Sequence, residues 1–273
     1  MKSKSTTLKN GLNIHFYTAG DPKNPSLLLL HGWPASSLLW RHLIPELSRH
    51  FYVLAPDMPG HGKSDKPLDG KYNKEYLGQF ILDFMNKMKL KKTHLACHDL
   101  GALGGLSLAS NHPDRIGKFI VMNTAPYSDW SLRLKFMILI LKQRLLSRLF
   151  LNRFIFKQVL KPGLYNHDLF TPELLDIFRS PWIQSSESVS AFSKTIEVPP
   201  EQMVITKKDL NSITLPTLIL WGKKDVFFPM RVAARLHQDI KTSTLIGVEK
   251  AAHFLQEEQP DFIQKEMISF LNG

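Results

Sequence analysis

The sequence predicts an α/β fold: a mostly parallel central sheet, flanked by helices and interrupted once by a helical insertion. Three observations carry that expectation. Short apolar runs recur along the chain, each ending abruptly in a turn of Gly, Pro, His or Asp. Helical spacing fills most of the intervals, the alternation that gives parallel strands joined by right-handed crossovers. Between residues 126 and 200 this rhythm stops, leaving only helical and polar-loop patterns, and then resumes.

Taken in order, residues 27–30 form the first apolar run and end in His31-Gly32-Trp33-Pro34. Residues 39–48 carry helical spacing. Residues 51–55 are the second run, ending in Pro56-Asp57-Met58-Pro59-Gly60. The third, 93–97, leads at once into a helix-like stretch containing Gly101, Gly104 and Gly105. Further strands are expected at 116–122, 217–221 and 242–246. The expected organisation is a core of residues 1–125 and 201–273, with residues 126–200 as a helical cap.

A chain of 273 residues can bury a substantial core. Its 43% hydrophobic and 22% charged residues are those of an ordinary globular protein. Residues 1–11 are polar and basic, so no secretory signal is expected. No apolar run reaches the roughly 18 residues of a membrane span. The single cysteine, Cys97, excludes an internal disulfide and fits a reducing compartment, so a cytoplasmic location is expected. The formal charge of +11 is concentrated: residues 131–163 hold Arg133, Lys135, Lys142, Arg144, Arg148, Arg153, Lys157 and Lys161 but no Asp or Glu. These bases interleave with Leu, Ile and Phe rather than with polar and stacking residues, which argues against nucleic acid. Two readings remain: a cap with its apolar face over a site and its bases in water, or an interfacial amphipathic element making peripheral membrane contact.

The chemistry centres on Leu95-Ala96-Cys97-His98-Asp99-Leu100-Gly101. A strand that turns sharply into a helix needs small residues two before and two after the turn, because the backbones crowd there. Cys97 and Gly101 meet that need around Asp99, the arrangement of a nucleophile elbow with Asp in place of serine. On this reading Cys97 is inert packing and His98 points away from the site. The competing reading is an Asp that merely caps the following helix. Two further segments favour the elbow. The turn at Trp33 can aim its backbone N–H into the space served by the N–H of Leu100, forming an oxyanion hole. Downstream, Trp221-Gly222-Lys223-Lys224-Asp225 places a carboxylate just past a strand, and Ala252-His253-Phe254 a histidine in a later loop. Nucleophile, acid, histidine is the chain order of this kind of site.

On His31-Gly32-Trp33-Pro34, on the run from Pro56 to Pro67, on His98-Asp99-Leu100-Gly101 and on His253 to Glu258, the chain resembles the α/β-hydrolase superfamily over nearly its whole length. It looks most like the haloalkane dehalogenase and epoxide hydrolase branch. The resemblance implies an α/β-hydrolase fold with an inserted helical cap, and catalysis by Asp99, His253 and Asp225 without cofactor or metal. Asp99 would attack a saturated carbon to give an alkyl ester, and His253, oriented by Asp225, would activate the water that hydrolyses it. The expected partner is a small apolar substrate.

Many relatives in that branch carry Trp directly after the nucleophile, where this chain has Leu100. Trp33, Trp130 and Trp182 are the candidates to hold a departing halide instead. Tyr127 and Tyr165 are the candidate phenols for protonating an epoxide, and His31 is a further candidate substrate contact. Neither Leu100 nor Leu103 supplies the arginine that a fluoroacetate-type dehalogenase would want. Haloalkane dehalogenation is the leading expectation, with epoxide hydrolysis as the alternative. Esterase-like hydrolysis, or a membrane-surface binding protein of the same fold, stand behind them.

Overall fold

The computed structural model describes residues 1–273 apart from Asp129, Ser131 and Lys142 and the side chains of Leu132, Arg133, Arg144 and Leu145. Three members of the basic stretch, Arg133, Lys142 and Arg144, thus fall wholly or in their side chains outside the described residues.

The described strands are β1 (Lys2–Thr7), β2 (Asn13–Ala19), β3 (Ser26–Leu30), β4 (Tyr52–Pro56), β5 (Thr93–His98), β6 (Ile116–Met122), β7 (Thr217–Gly222) and β8 (Ser243–Val248). They form one sheet in the order β1-β2-β4-β3-β5-β6-β7-β8. β1 with β2, and β2 with β4, pair antiparallel, and every later pair is parallel. The six expected strands are β3 to β8. Their central residues, such as Leu27–Leu30 and Leu95–Cys97, are buried because helices cover both faces of a parallel sheet. The β1–β2 hairpin was not expected. Nearly all of β1 is exposed, so it shows no apolar alternation to betray it.

The helix expected at 39–48 is instead a 3₁₀ turn, Ser37–Trp40, followed by a single turn of helix, α1 (Ile44–Leu47). Pro45 is tolerated only in the first turn of α1 and prevents one continuous helix through both. The longer core helices α2 (Lys74–Lys87) and α3 (Leu100–Asn111) pack against each other, and α3 is buried almost all round.

Between β6 and β7 the described chain is helical: α4 (Leu132–Leu141), α5 (Arg144–Phe150), α6 (Arg153–Leu160), α7 (Pro172–Arg179), α8 (Ser186–Lys194) and the short α9 (Lys207–Asn211), which packs on α3. The insertion is anchored to the turn after β3 by aromatic rings. Trp33 lies 5.0 Å from Phe192, Phe192 5.5 Å from Phe150, and Trp182 donates its Nε1–H to Pro34 O at 2.8 Å. The chain ends with α10 (Met230–Asp239), α11 (Leu255–Glu258) and α12 (Pro260–Asn272).

Candidate active site

Residues following six neighbouring strands converge at the carboxyl edge of the sheet: His31 after β3, Asp57 after β4, Asp99 after β5, Asn123 after β6, Asp225 after β7 and His253 after β8. This is where side chains of an open α/β sheet can meet over a common crevice.

Asp99 stands on the turn from β5 into α3 with φ 51° and ψ −118°, a left-handed conformation that a non-glycine residue adopts only under tight constraint. The constraint is crowding. A Cβ on Gly101 would lie 2.3 Å from His31 O, and one on Gly32 would lie 2.2 Å from Asp99 Cβ. Cys97 fits the same logic, being fully buried with its thiol pushed well up by burial. Asp99 makes no side-chain cap to α3, so the simple capping role does not describe it. Instead the Trp33 N–H donates to Oδ1 of Asp99 at 2.8 Å, and the Leu100 N–H adds a weaker pull on the same carboxylate.

His253 connects the two carboxylates. Its Nδ1–H donates to Oδ2 of Asp225 at 3.0 Å, and its Nε2 lies 3.8 Å from Oδ2 of Asp99. Asp225 is fixed by more than the imidazole. Its Oδ1 accepts the N–H groups of Phe227 and Phe228 at 2.7 and 3.0 Å, and its Oδ2 accepts Nδ2–H of Asn123 at 2.6 Å. Burial pushes the Asp99 carboxyl above the usual carboxylate range, outweighing the pull of His253 and of the two N–H groups. Burial alone would lower His253, but the charge and hydrogen bond of Asp225, with the charge of Asp99, outweigh it and hold the imidazole above its ordinary value.

A cleft opens over Asp99 in two lobes. The larger spans ≈ 580 Å³ and the smaller ≈ 320 Å³, open solvent at the mouth included, and both are lined by Trp33, Asp99, Leu134, Met137 and Phe228. The insertion supplies much of the roof, with Leu134, Met137 and Ile138 from α4 and Thr195, Ile196 and Val198 after α8. The lining is almost wholly apolar. The hydroxyls of Thr124 and Thr195 are committed to Asp99 O at 2.7 Å and Phe192 O at 3.2 Å. The indole N–H groups of Trp33 and Trp130 are buried without a hydrogen-bond partner among the described residues. Among the described residues no group of three or more His, Cys, Asp or Glu converges as metal ligands would.

The structure therefore brings together Asp99, His253, Asp225, Trp33, Leu100 and Trp130. It places the other candidates elsewhere, a correction for four residues. His31 is a clasp: its Nδ1–H donates to Gly32 O at 3.0 Å and its Nε2 accepts from Met58 N–H at 2.9 Å, so both ring nitrogens are spent on loop backbone. Tyr127 donates its hydroxyl to Asp239 at 2.7 Å, and the Arg235 guanidinium lies 3.8 Å over its ring. Tyr165 is half exposed and lines neither lobe. Trp182 is fully buried and spends its N–H on Pro34. His98 does point away from the cleft but is not idle. Its ring lies 4.6 Å from that of His253, and its Nε2–H donates to the His253 carbonyl at 2.9 Å.

Sequence reasoning missed Asn123. Its amide bridges Asp225 and the Gly222 N–H, the latter at 3.1 Å, from a backbone φ of 27°. A polar residue at the carboxyl end of a predicted strand was the signal available. Glu258 was noticed only within a motif. Its carboxylate receives the N–H groups of Ala252, Tyr165 and Asn166, tying the histidine loop to the insertion.

The chain belongs to the alpha/beta hydrolase fold family, whose model matches residues 25–260. It is 25% identical over 272 residues to an uncharacterized hydrolase, YugF, of Bacillus subtilis (strain 168), covering 96% of this chain and 95% of that protein. It is 27% identical over 282 residues to epoxide hydrolase 4 of Homo sapiens, covering 96% of this chain and 76% of that one. Among solved structures, a meta-cleavage product hydrolase from Pseudomonas fluorescens IP01 superposes with a TM-score of 0.82 at 23% identity, covering 98% of this chain and 97% of that one. The protein is thus a hydrolase of the α/β family.

Proposed function

We infer that the chain hydrolyses a small apolar haloalkane through a covalent ester on Asp99. The observation that carries this reading is the composition of the cleft. Two side chains of its lining, Trp33 and Trp130, carry buried indole N–H groups without a hydrogen-bond partner among the described residues, and no phenol lines either lobe. A departing halide needs donors in an apolar, water-poor space, whereas an epoxide oxygen needs an acid.

The steps follow from the geometry. Oδ1 of Asp99 is held by the Trp33 N–H, so Oδ2 is the free nucleophilic atom. Desolvation, which raises the carboxyl pKa, also makes the carboxylate a stronger nucleophile. Oδ2 displaces the halide from carbon: the O–C bond forms, the C–halogen bond breaks, and its electron pair leaves with the halide. Nε2 of His253 then takes a proton from water, whose oxygen attacks Cγ of Asp99. Negative charge develops on Oδ1, which already accepts the Trp33 N–H, with the Leu100 N–H acting on the same carboxyl. Collapse breaks the ester C–O bond: the alkoxide takes the proton held on His253 and leaves as the alcohol, and the acid proton left on Asp99 passes to solvent, restoring the carboxylate. Alkylation removes the Asp99 charge that helps keep His253 protonated, so forming the ester lowers the imidazole pKa as the base is needed.

The similarity to epoxide hydrolase 4 favours a second reading, epoxide opening by the same carboxylate. A substrate panel separates them. Bromo- and iodoalkanes should turn over faster than chloroalkanes, and Trp33→Phe and Trp130→Phe should each slow halide release by roughly tenfold or more, the worth of a hydrogen bond to a charged group. Epoxide turnover without halide release would establish the second reading. Ester hydrolysis with no adduct on Asp99 would remove both.

A further inference from the structure

We propose that the outer faces of α4, α5 and α6 form a docking surface for an anionic lipid bilayer. This rests on surface chemistry and holds whichever substrate Asp99 attacks. Helix α4 is apolar nearly all round, yet only one side is covered. Leu134, Met137 and Ile138 face the cleft, while Phe136 and Leu139, on the opposite side of the helix, are 64% and 60% exposed. Helix α5 packs on α4 and exposes Leu149 at 54%; α6 packs on α5 and exposes Phe154 at 70%. Large apolar side chains exposed on three successively packed helices mark a contact surface, where single exposed ones would not.

The charge on the same helices selects the occupant. Lys135 and Arg148 are exposed and form no ion pair among the described residues; Arg153 pairs only with Asp176 on α7. Residues 131–163 contain no acidic side chain at all. A second copy of this chain would set two such basic faces against each other, and an acidic lipid surface instead supplies the complement. The geometry fits lying on a membrane rather than crossing it. The three helices have 10, 7 and 8 residues, and no helix of the described residues is long and apolar enough to span a bilayer. Phe136, Leu139, Leu149 and Phe154 would enter the boundary between headgroups and acyl chains, with Lys135 and Arg148 at the phosphates. Helix α4 would then have lipid on one side and the cleft on the other, a short route for an apolar substrate dissolved in the bilayer.

The test is sedimentation of the whole protein with phosphatidylcholine vesicles, with and without phosphatidylglycerol. Binding should require the anionic lipid and weaken as salt rises. The Lys135→Gln, Arg148→Gln double variant should bind roughly thirtyfold more weakly, at the usual worth of about 1 kcal/mol for each basic residue near such a surface. The Phe136→Ser, Phe154→Ser variant should lose binding while its melting temperature and its turnover of a water-soluble substrate stay unchanged. Equal partition to neutral and anionic vesicles, no binding, or binding indifferent to both variants would each overturn the proposal. So would a dimer in sedimentation velocity that the Phe136→Ser, Phe154→Ser variant dissociates, since the face would then belong to a second copy.

Discussion

The sheet edge and the helical insertion meet at one cleft but are built in opposite ways. Along the sheet edge nearly every polar group is spent on another: Asp225 accepts four hydrogen bonds, Asn123 bridges to Gly222, and His98 holds the His253 carbonyl. The insertion contributes almost no polar group to the cleft, only apolar roof and one indole N–H, on Trp130. Such a division fixes the reaction in the hydrogen-bonded sheet edge and leaves substrate choice to side chains that can change without disturbing the network. If it holds, substitutions at the edge should damage chemistry, and those in the insertion should alter which substrates enter.

The largest effects belong to Asp99 and His253. Asp99→Ala should abolish turnover by several orders of magnitude while the circular dichroism spectrum stays unchanged. His253→Gln should be equally inactive in steady state but still react once, because alkylation needs no base. Intact-protein mass spectrometry should then find substrate carbon fixed on Asp99. A variant that neither turns over nor accumulates an adduct, with a substrate the unmodified protein consumes, would refute the covalent route. The pH profile has a defined sense. Hydrolysis of the ester needs neutral His253, so kcat should rise with pH when that step limits. Its midpoint should lie below the imidazole pKa of the free protein, because the ester has lost the Asp99 charge.

Asn123→Ala comes next. Its amide is a donor to Asp225 independent of His253, and removing a hydrogen bond to a buried charge is worth about 1.5–3 kcal/mol. The expected result is a roughly ten- to hundredfold fall in kcat with little change in KM. An equal loss in KM would place Asn123 in substrate binding instead.

How far the sequence foretold all this depends on whether a feature is local. Residues 27–30 and 93–97 were legible as strands because buried parallel strands are continuous apolar runs ended by turn chemistry. The crowding around Asp99 was legible because the sequence itself puts small residues on both sides of it. Strand β1 was not, since an exposed edge imposes no pattern. Tyr127 and Tyr165 were not either: where a cap tyrosine points depends on partners such as Asp239 and Arg235, more than a hundred residues away in sequence. Asn123 was present but indistinguishable from an ordinary turn residue.

A smaller effect, on stability alone, is expected at Asp57. Its carboxylate accepts His15 Nδ1–H at 2.8 Å and the Ser37 N–H and hydroxyl at 2.8 and 2.6 Å. Burial would raise it, but these bonds, the electrostatic pull of the His31 ring and the Lys63 N–H together bring it down to about 2. A depressed carboxylate stabilises the fold above its unfolded pKa of about 3.9 and loses that stabilisation as pH falls toward the folded value. The shift is worth about 2–3 kcal/mol. Asp57→Asn should therefore melt lower at neutral pH and converge with the parent near the acid limit. A parallel loss at every pH would mean that packing, not ionisation, is what the substitution removes.

The smallest expected effect is the most discriminating. Tyr127→Phe removes a hydroxyl that donates to Asp239, on the far end of α10, so it should cost about 1 kcal/mol of stability and leave turnover within about twofold. Tyr165→Phe should do even less, because the residue is half exposed and, among the described residues, its backbone N–H, bonded to Glu258, is what is engaged. Both variants should be measured on haloalkanes and epoxides side by side. If epoxide opening falls more than roughly tenfold in either while the melting temperature barely moves, that hydroxyl is the acid the reaction uses. The insertion would then close on substrate in a way that swings the phenol over Asp99, and the division between a chemical edge and an apolar roof would fail at that residue. If neither variant changes the rate, an anion formed in the cleft meets no phenol, and besides His253, whose neutral form the second step needs, the donors among the described residues are indole and backbone N–H groups. Those suit a halide, which leaves as a stable anion, far better than an alkoxide, which must be given a proton.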